Sequence, residues 1–156
     1  MLPTDMNNLK VHDSIQQVYN TLVDLYGKEK TGGLIERAGI IDYFLVIEKS
    51  EGMSNSRKAK IKSQNIPKTE YLQMLLAAAD IFREYGLDEL SIHLYGECIR
   101  YSSTTSGNDT RARAFLHRGN LFSTIGKMSE AKNDYQKSKI PVASLSAFEL
   151  AVCLAE

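Results

Sequence analysis

An excess of either charge is missing from this 156-residue chain: 19 lysines and arginines face 19 aspartates and glutamates, leaving no net charge. That balance argues against a nucleic-acid binder working through overall electrostatics. Cysteine is scarce. Cys98 and Cys153 are far apart, on helix faces expected to be apolar, and read as two buried thiols rather than a disulfide. No apolar run approaches a bilayer span; the longest, Ile40–Ile41 then Tyr43–Ile47, is broken by Asp42. Met1 to Lys10 is polar and unlike a signal peptide, so a soluble cytoplasmic protein without membrane association is expected.

Catalytic and metal motifs are absent too. His12, His93 and His117 show no HExxH spacing, and no carboxylate stands at a metal-binding offset. Gly32-Gly33 is an isolated pair without a Walker lysine, and no Gly-x-Ser-x-Gly elbow occurs. Asp88 and Glu89 open a helix, where the dipole favours them, and need no catalytic role. The expectation is no enzyme, no catalytic residue, no metal and no cofactor.

No strand-like alternation exceeds four residues, which makes the chain all-α. Val11, Ile15, Val18, Leu22 and Leu25 fall at steps of four and three and predict an amphipathic helix over Asn8–Tyr26, closed by Gly27. A second helix is predicted from about Thr31 or Leu34 to Lys49. Leu34, Ala38, Ile41 and Leu45 line one of its faces, and Ile35, Ile40, Phe44 and Ile47 the other, so it must be covered on more than one side. Residues 1–49 therefore read as an N-terminal helical hairpin. Residues 50–66, with Arg57, Lys58, Lys60 and Lys62 among serine, glycine and asparagine, read as a basic flexible linker. Residues 67–156 read as helical repeats with a C-terminal helix.

The repeat is carried by two stretches in register. The first is Leu75, Ala79, Phe82, Gly86, Ser91, Tyr95 and Cys98; the second is Phe115, Gly119, Phe122, Gly126, Ala131, Tyr135 and Ser138. Each predicts helix A, a glycine turn and helix B. The helices run over about Glu70–Tyr85 and Asp88–Ser102, then from a cap at Asp109 or Thr110 to Ile125, and from Ser129 to about Lys139. Pro67 and Thr69 open the region and Pro141 closes it, before a last helix from about Ser144. Small residues at Ala79, Ser91, Gly119 and Ala131 let paired helices cross closely, while Phe82, Tyr95, Phe122 and Tyr135 fill the space around each crossing.

The second stretch resembles the tetratricopeptide repeat: Phe115, Gly119 and Phe122 in helix A, Ala131 and Tyr135 in helix B, then a proline. Arg118 stands where that family usually has leucine, Ser138 replaces a usual alanine, and Pro141 comes about two residues early. Gly86 and Gly126 are 40 residues apart, against about 34 in the family; the polar loop 103–108 absorbs the difference. The resemblance spans about residues 70–141. It implies a helix-turn-helix solenoid of about two units plus a terminal helix, preceded by the N-terminal hairpin. That hairpin shows no signature of its own: with Gly27 aligned to Gly86, Gly32 and Glu36 fall on the small and aromatic positions. It reads as a separate hairpin or a divergent unit.

The resemblance also implies a non-catalytic interaction module, a scaffold or adaptor holding a peptide or helix of a partner on the concave surface of the A helices. By register that surface presents Gln73, Leu76, Asp80, Arg83 and Glu84, then Arg113, Leu116, His117, Asn120 and Thr124. Gln73, Asp80, Arg83, Arg113, His117 and Asn120 are the candidate partner-binding residues. Leu76 and Asp80 occupy two positions of the family's chaperone carboxylate clamp, and Asp80 would repel a carboxylate. An alternative is a regulatory or sensor protein whose apolar N-terminal hairpin dimerises or binds an apolar ligand. Nucleic-acid contact through Arg57–Lys62 ranks below both. The apolar finish at Leu154-Ala155-Glu156 fits a helix packed on one side, a longer array, or cover by another subunit, so self-association through the last helix or the N-terminal hairpin is a further expectation.

Overall fold

The computed structural model describes residues 3–44, 66–102 and 108–138, and among these there is no strand. The helices are α1 (Pro3–Tyr26), α2 (Lys28–Arg37), α3 (Lys68–Glu84), α4 (Asp88–Ser102), α5 (Asn108–Thr124) and α6 (Met128–Ser138), with a 3-10 turn at Ile41–Phe44 after α2. The basic linker, the closing proline, Cys153 and the C-terminal helix expected from the sequence lie outside the described residues.

Three helices end in the same way. Gly86 and Gly126 adopt φ +77° and +88°, which L side chains rarely adopt. The residue after each donates to the carbonyl five residues back, Leu87 to Phe82 at 2.9 Å and Lys127 to Phe122 at 2.7 Å. This is the left-handed cap that satisfies the last carbonyls of a helix. Gly39 has φ +73°, and Ile40 donates to Ile35 at 3.1 Å.

That third cap corrects one expectation. The second helix stops at Arg37 instead of reaching Lys49, because Gly39 turns the chain out of the helix. Gly27, at φ +86°, closes α1 as expected and forms a one-residue break before α2. Boundary shifts are smaller. α1 begins at Pro3, α3 at Lys68 after an N-cap at Pro67 instead of Thr69, α5 at Asn108, and α6 spans Met128–Ser138.

Helices α3 and α4 cross where expected. Ser91 Oγ donates to the Ala79 carbonyl at 2.7 Å, a buried contact between two small residues. Cys98 Sγ lies 3.7 Å from the Leu72 carbonyl. Gly119 makes the corresponding approach to α6: a Cβ there would lie 2.8 Å from Tyr135 Cδ1 and Cε1 and 3.3 Å from the Ala131 carbonyl. Helix α4 also packs along α5, and α3 touches α5. As α3 and α5 each run antiparallel to α4, they run parallel to each other.

The N-terminal helices share one core with this region. Ile15, Val18 and Leu22 of α1 and Leu34 and Ile35 of α2 are buried together with Leu75, Phe82, Leu94 and Tyr95. Phe44 joins the two parts, its ring 6.3 Å from that of Tyr19 and 6.2 Å from that of Phe82. Lys30 pairs with Glu70 at 2.5 Å, Arg37 lies 3.9 Å over the Tyr71 ring, and His93 Nε2–H donates to the Ala38 carbonyl at 2.9 Å. Leu25, placed on the apolar stripe by its spacing, is 59% exposed, since the stripe loses its cover at the end of α1.

Candidate partner-binding face

The polar positions of α3 and α5 meet at one seam. Asp80 Oδ1 accepts from the Tyr95 hydroxyl and from His117 Nδ1, the latter at 2.8 Å. The carboxylate thus selects the tautomer with hydrogen on Nδ1. Arg83 Nη1 donates to the His117 carbonyl at 3.3 Å, and the Tyr95 ring meets the imidazole edge-on at 6.2 Å.

Burial alone would raise the pKa of Asp80. Hydrogen bonds from His117 and Tyr95, with the attraction of His117 and Arg83, outweigh it and hold the carboxyl below the usual carboxylate range. Tyr95 moves the other way: its burial and the Asp80 carboxylate push the phenol well above its ordinary value.

The six partner-binding candidates divide into two groups. Gln73 and Arg113 are exposed and project to solvent. Asp80, Arg83, His117 and Asn120 are half-buried and engaged within the chain. Asn120 Oδ1 accepts from the Tyr135 hydroxyl at 2.5 Å. Asp80–Tyr95 and Asn120–Tyr135 are therefore the same contact one repeat apart, and these side chains orient the face as well as lining it. Leu76 and Leu116 lie half-buried among them, and Glu84 and Thr124 are exposed at the C-terminal ends of the two helices.

A second cluster escaped the sequence reading. Arg118 forms a bidentate pair with Asp134, Nε to Oδ2 at 2.7 Å and Nη2 to Oδ1 at 2.8 Å. Its guanidinium carbon lies 5.7 Å from the Phe115 ring and 5.6 Å from that of Phe122, and Asp134 is 2% exposed. Forty residues earlier the same positions hold Ala78 and Leu94, both fully buried. The signal was available: a cation and an anion replace two apolar residues at facing positions of one unit. Gly96 faces the arginine from α4, where a Cβ would sit at ordinary contact distance, 3.7 Å from Arg118 Nη1.

Among the described residues no group of three or more histidine, cysteine, aspartate or glutamate side chains could hold a metal, and no helix is long and apolar enough to cross a membrane. Cys98 is a free, buried thiol. Comparison with known proteins finds no matching family model, no matching curated protein and no matching solved structure.

Proposed function

We propose that this chain is a non-catalytic interaction module, a scaffold or adaptor whose tetratricopeptide-like units present the α3 and α5 face to a peptide or helix from another protein. One observation carries the reading: parallel α3 and α5 are joined at Asp80 and His117, so that polar and half-buried apolar side chains of two successive units share one surface. A face assembled across repeats is how solenoids build extended binding surfaces. The Asp80 carboxylate, held ionised at the centre, disfavours capture of a peptide's terminal carboxylate there.

The sensor alternative draws less support. Leu34, Ile35, Ile40 and Phe44, the apolar residues it would use, are each at most 2% exposed within the chain's own core. Panning a random peptide display library on the purified chain tests the proposal. Enriched peptides are expected to bind the wild type about tenfold more tightly than the Gln73→Lys/Arg113→Ala variant, by fluorescence polarisation, with unchanged melting. Equal affinity for both proteins would remove the assignment of the face.

A further inference from the structure

The proposed face carries two charges that no described residue answers. Arg113 and Glu84 are exposed, and neither has an ion-pair or hydrogen-bond partner among the described residues. Asp80, by contrast, is answered internally by Tyr95 and His117, and Arg83 is turned to the His117 carbonyl. Glu84 is the last residue of α3, where the helix dipole disfavours a carboxylate, so helix stability does not account for it.

The Asp80–His117 bond sets the relative level of the two parallel helices. Glu84 stands four residues beyond Asp80, and Arg113 stands four before His117. At the α-helical rise the two charges are about 12 Å apart along the axes. Half-buried Leu116 lies between those levels. Along the face Arg113 thus stands at one end, Leu116 beside the internally bonded Asp80 and His117 in the middle, and Glu84 at the other end.

Resting on the function proposed above, we infer that the partner segment is held in one direction. A carboxylate lies over Arg113, an apolar side chain on Leu116, and a lysine or arginine over Glu84. Complementary charge at both ends fixes the register, and the reversed orientation sets like charges against each other.

The probes are the peptides enriched on the wild-type chain. They are expected to carry an acidic and a basic side chain on either side of an apolar one, spanning about 12 Å. Arg113→Glu and Glu84→Arg should each weaken binding about fivefold, the scale of an exposed ion pair. The double exchange Arg113→Glu/Glu84→Arg should restore binding to within about twofold with the peptide reversed. A spin label on the acidic end of the peptide would report the reversal, broadening amides around residue 113 in the wild type and around residue 84 in the exchanged protein. Both positions are exposed, and melting curves check that the fold persists. Enriched peptides without this charge order, or affinities unmoved by either single exchange, overturn the inference and leave the peptide face standing. Peptides that bind elsewhere on the chain overturn both.

Discussion

At the residue scale, the closest constraint is at Gly119. Any side chain there meets the Tyr135 ring at a distance real Cβ atoms do not adopt. Gly119→Ala gains about 1 kcal/mol of helix propensity but must displace that ring, at a cost of about 1–3 kcal/mol. A net loss of about 1 kcal/mol is expected in urea unfolding. Gly119→Leu should lose several times more, and a parental melting curve for the leucine variant would contradict the close crossing. Asp80 gives a second test. Because its folded pKa lies below the ordinary carboxylate value, its stabilising contribution is present above that value and is lost as pH falls through the depressed one. Asp80→Asn should therefore flatten the acid limb of the stability–pH curve while lowering stability at pH 7. An acid limb as steep as that of the wild type would show that Asp80 is not the group responsible.

At the element scale, the pair Arg118–Asp134 is the point where the two units differ in kind. Removing the arginine leaves Asp134 buried without its partner, and Arg118→Ala should cost about 3 kcal/mol. The double variant Arg118→Ala/Asp134→Leu copies the apolar pair Ala78 and Leu94 of the first unit. It should recover most of that loss, since a buried ion pair exchanged for packed apolar groups is often neutral or better. Unfolding free energies of both variants decide the matter, and a double variant no better than the single one would contradict the equivalence of the two positions. Much at this scale was legible in the sequence. The glycine turns at Gly86 and Gly126 and the bounds of α4 follow from spacing and caps, because those signals are local. The break at Gly39 was missed because apolar residues continue past it on both faces, and periodicity alone cannot tell a continuing helix from a capped one followed by another turn of chain. The Asp80–Tyr95–His117 contact was missed for a different reason. Residues 37 positions apart have no local signal, and only the parallel packing of α3 on α5 brings them together.

At the scale of the whole molecule, α1 to α5 share one core that includes residues from Ile15 to Leu121, and Ala131 and Tyr135 of α6 form a second cluster with Leu116 and Phe122. Cys98 reports on it. Burial, with a smaller contribution from Asp80, pushes its thiol up to about 12, so the folded protein holds it protonated and out of reach. In a Cys153→Ser background, Cys98 should react with a thiol reagent at pH 8 only at the rate of opening, and labelling should rise with denaturant in step with unfolding. Rapid native-state labelling would contradict the packing of α3 against α4. The central claim is that α3 and α5 form one binding face across two units. Amide chemical shifts recorded while a display-selected peptide is titrated into the isotopically labelled chain test it most directly. The account predicts that shifts cluster along Gln73–Glu84 and Arg113–Thr124 and pass over the outward sides of α4 and α6. Shifts gathered instead around Leu25 and Tyr43, on the N-terminal helices, would contradict it.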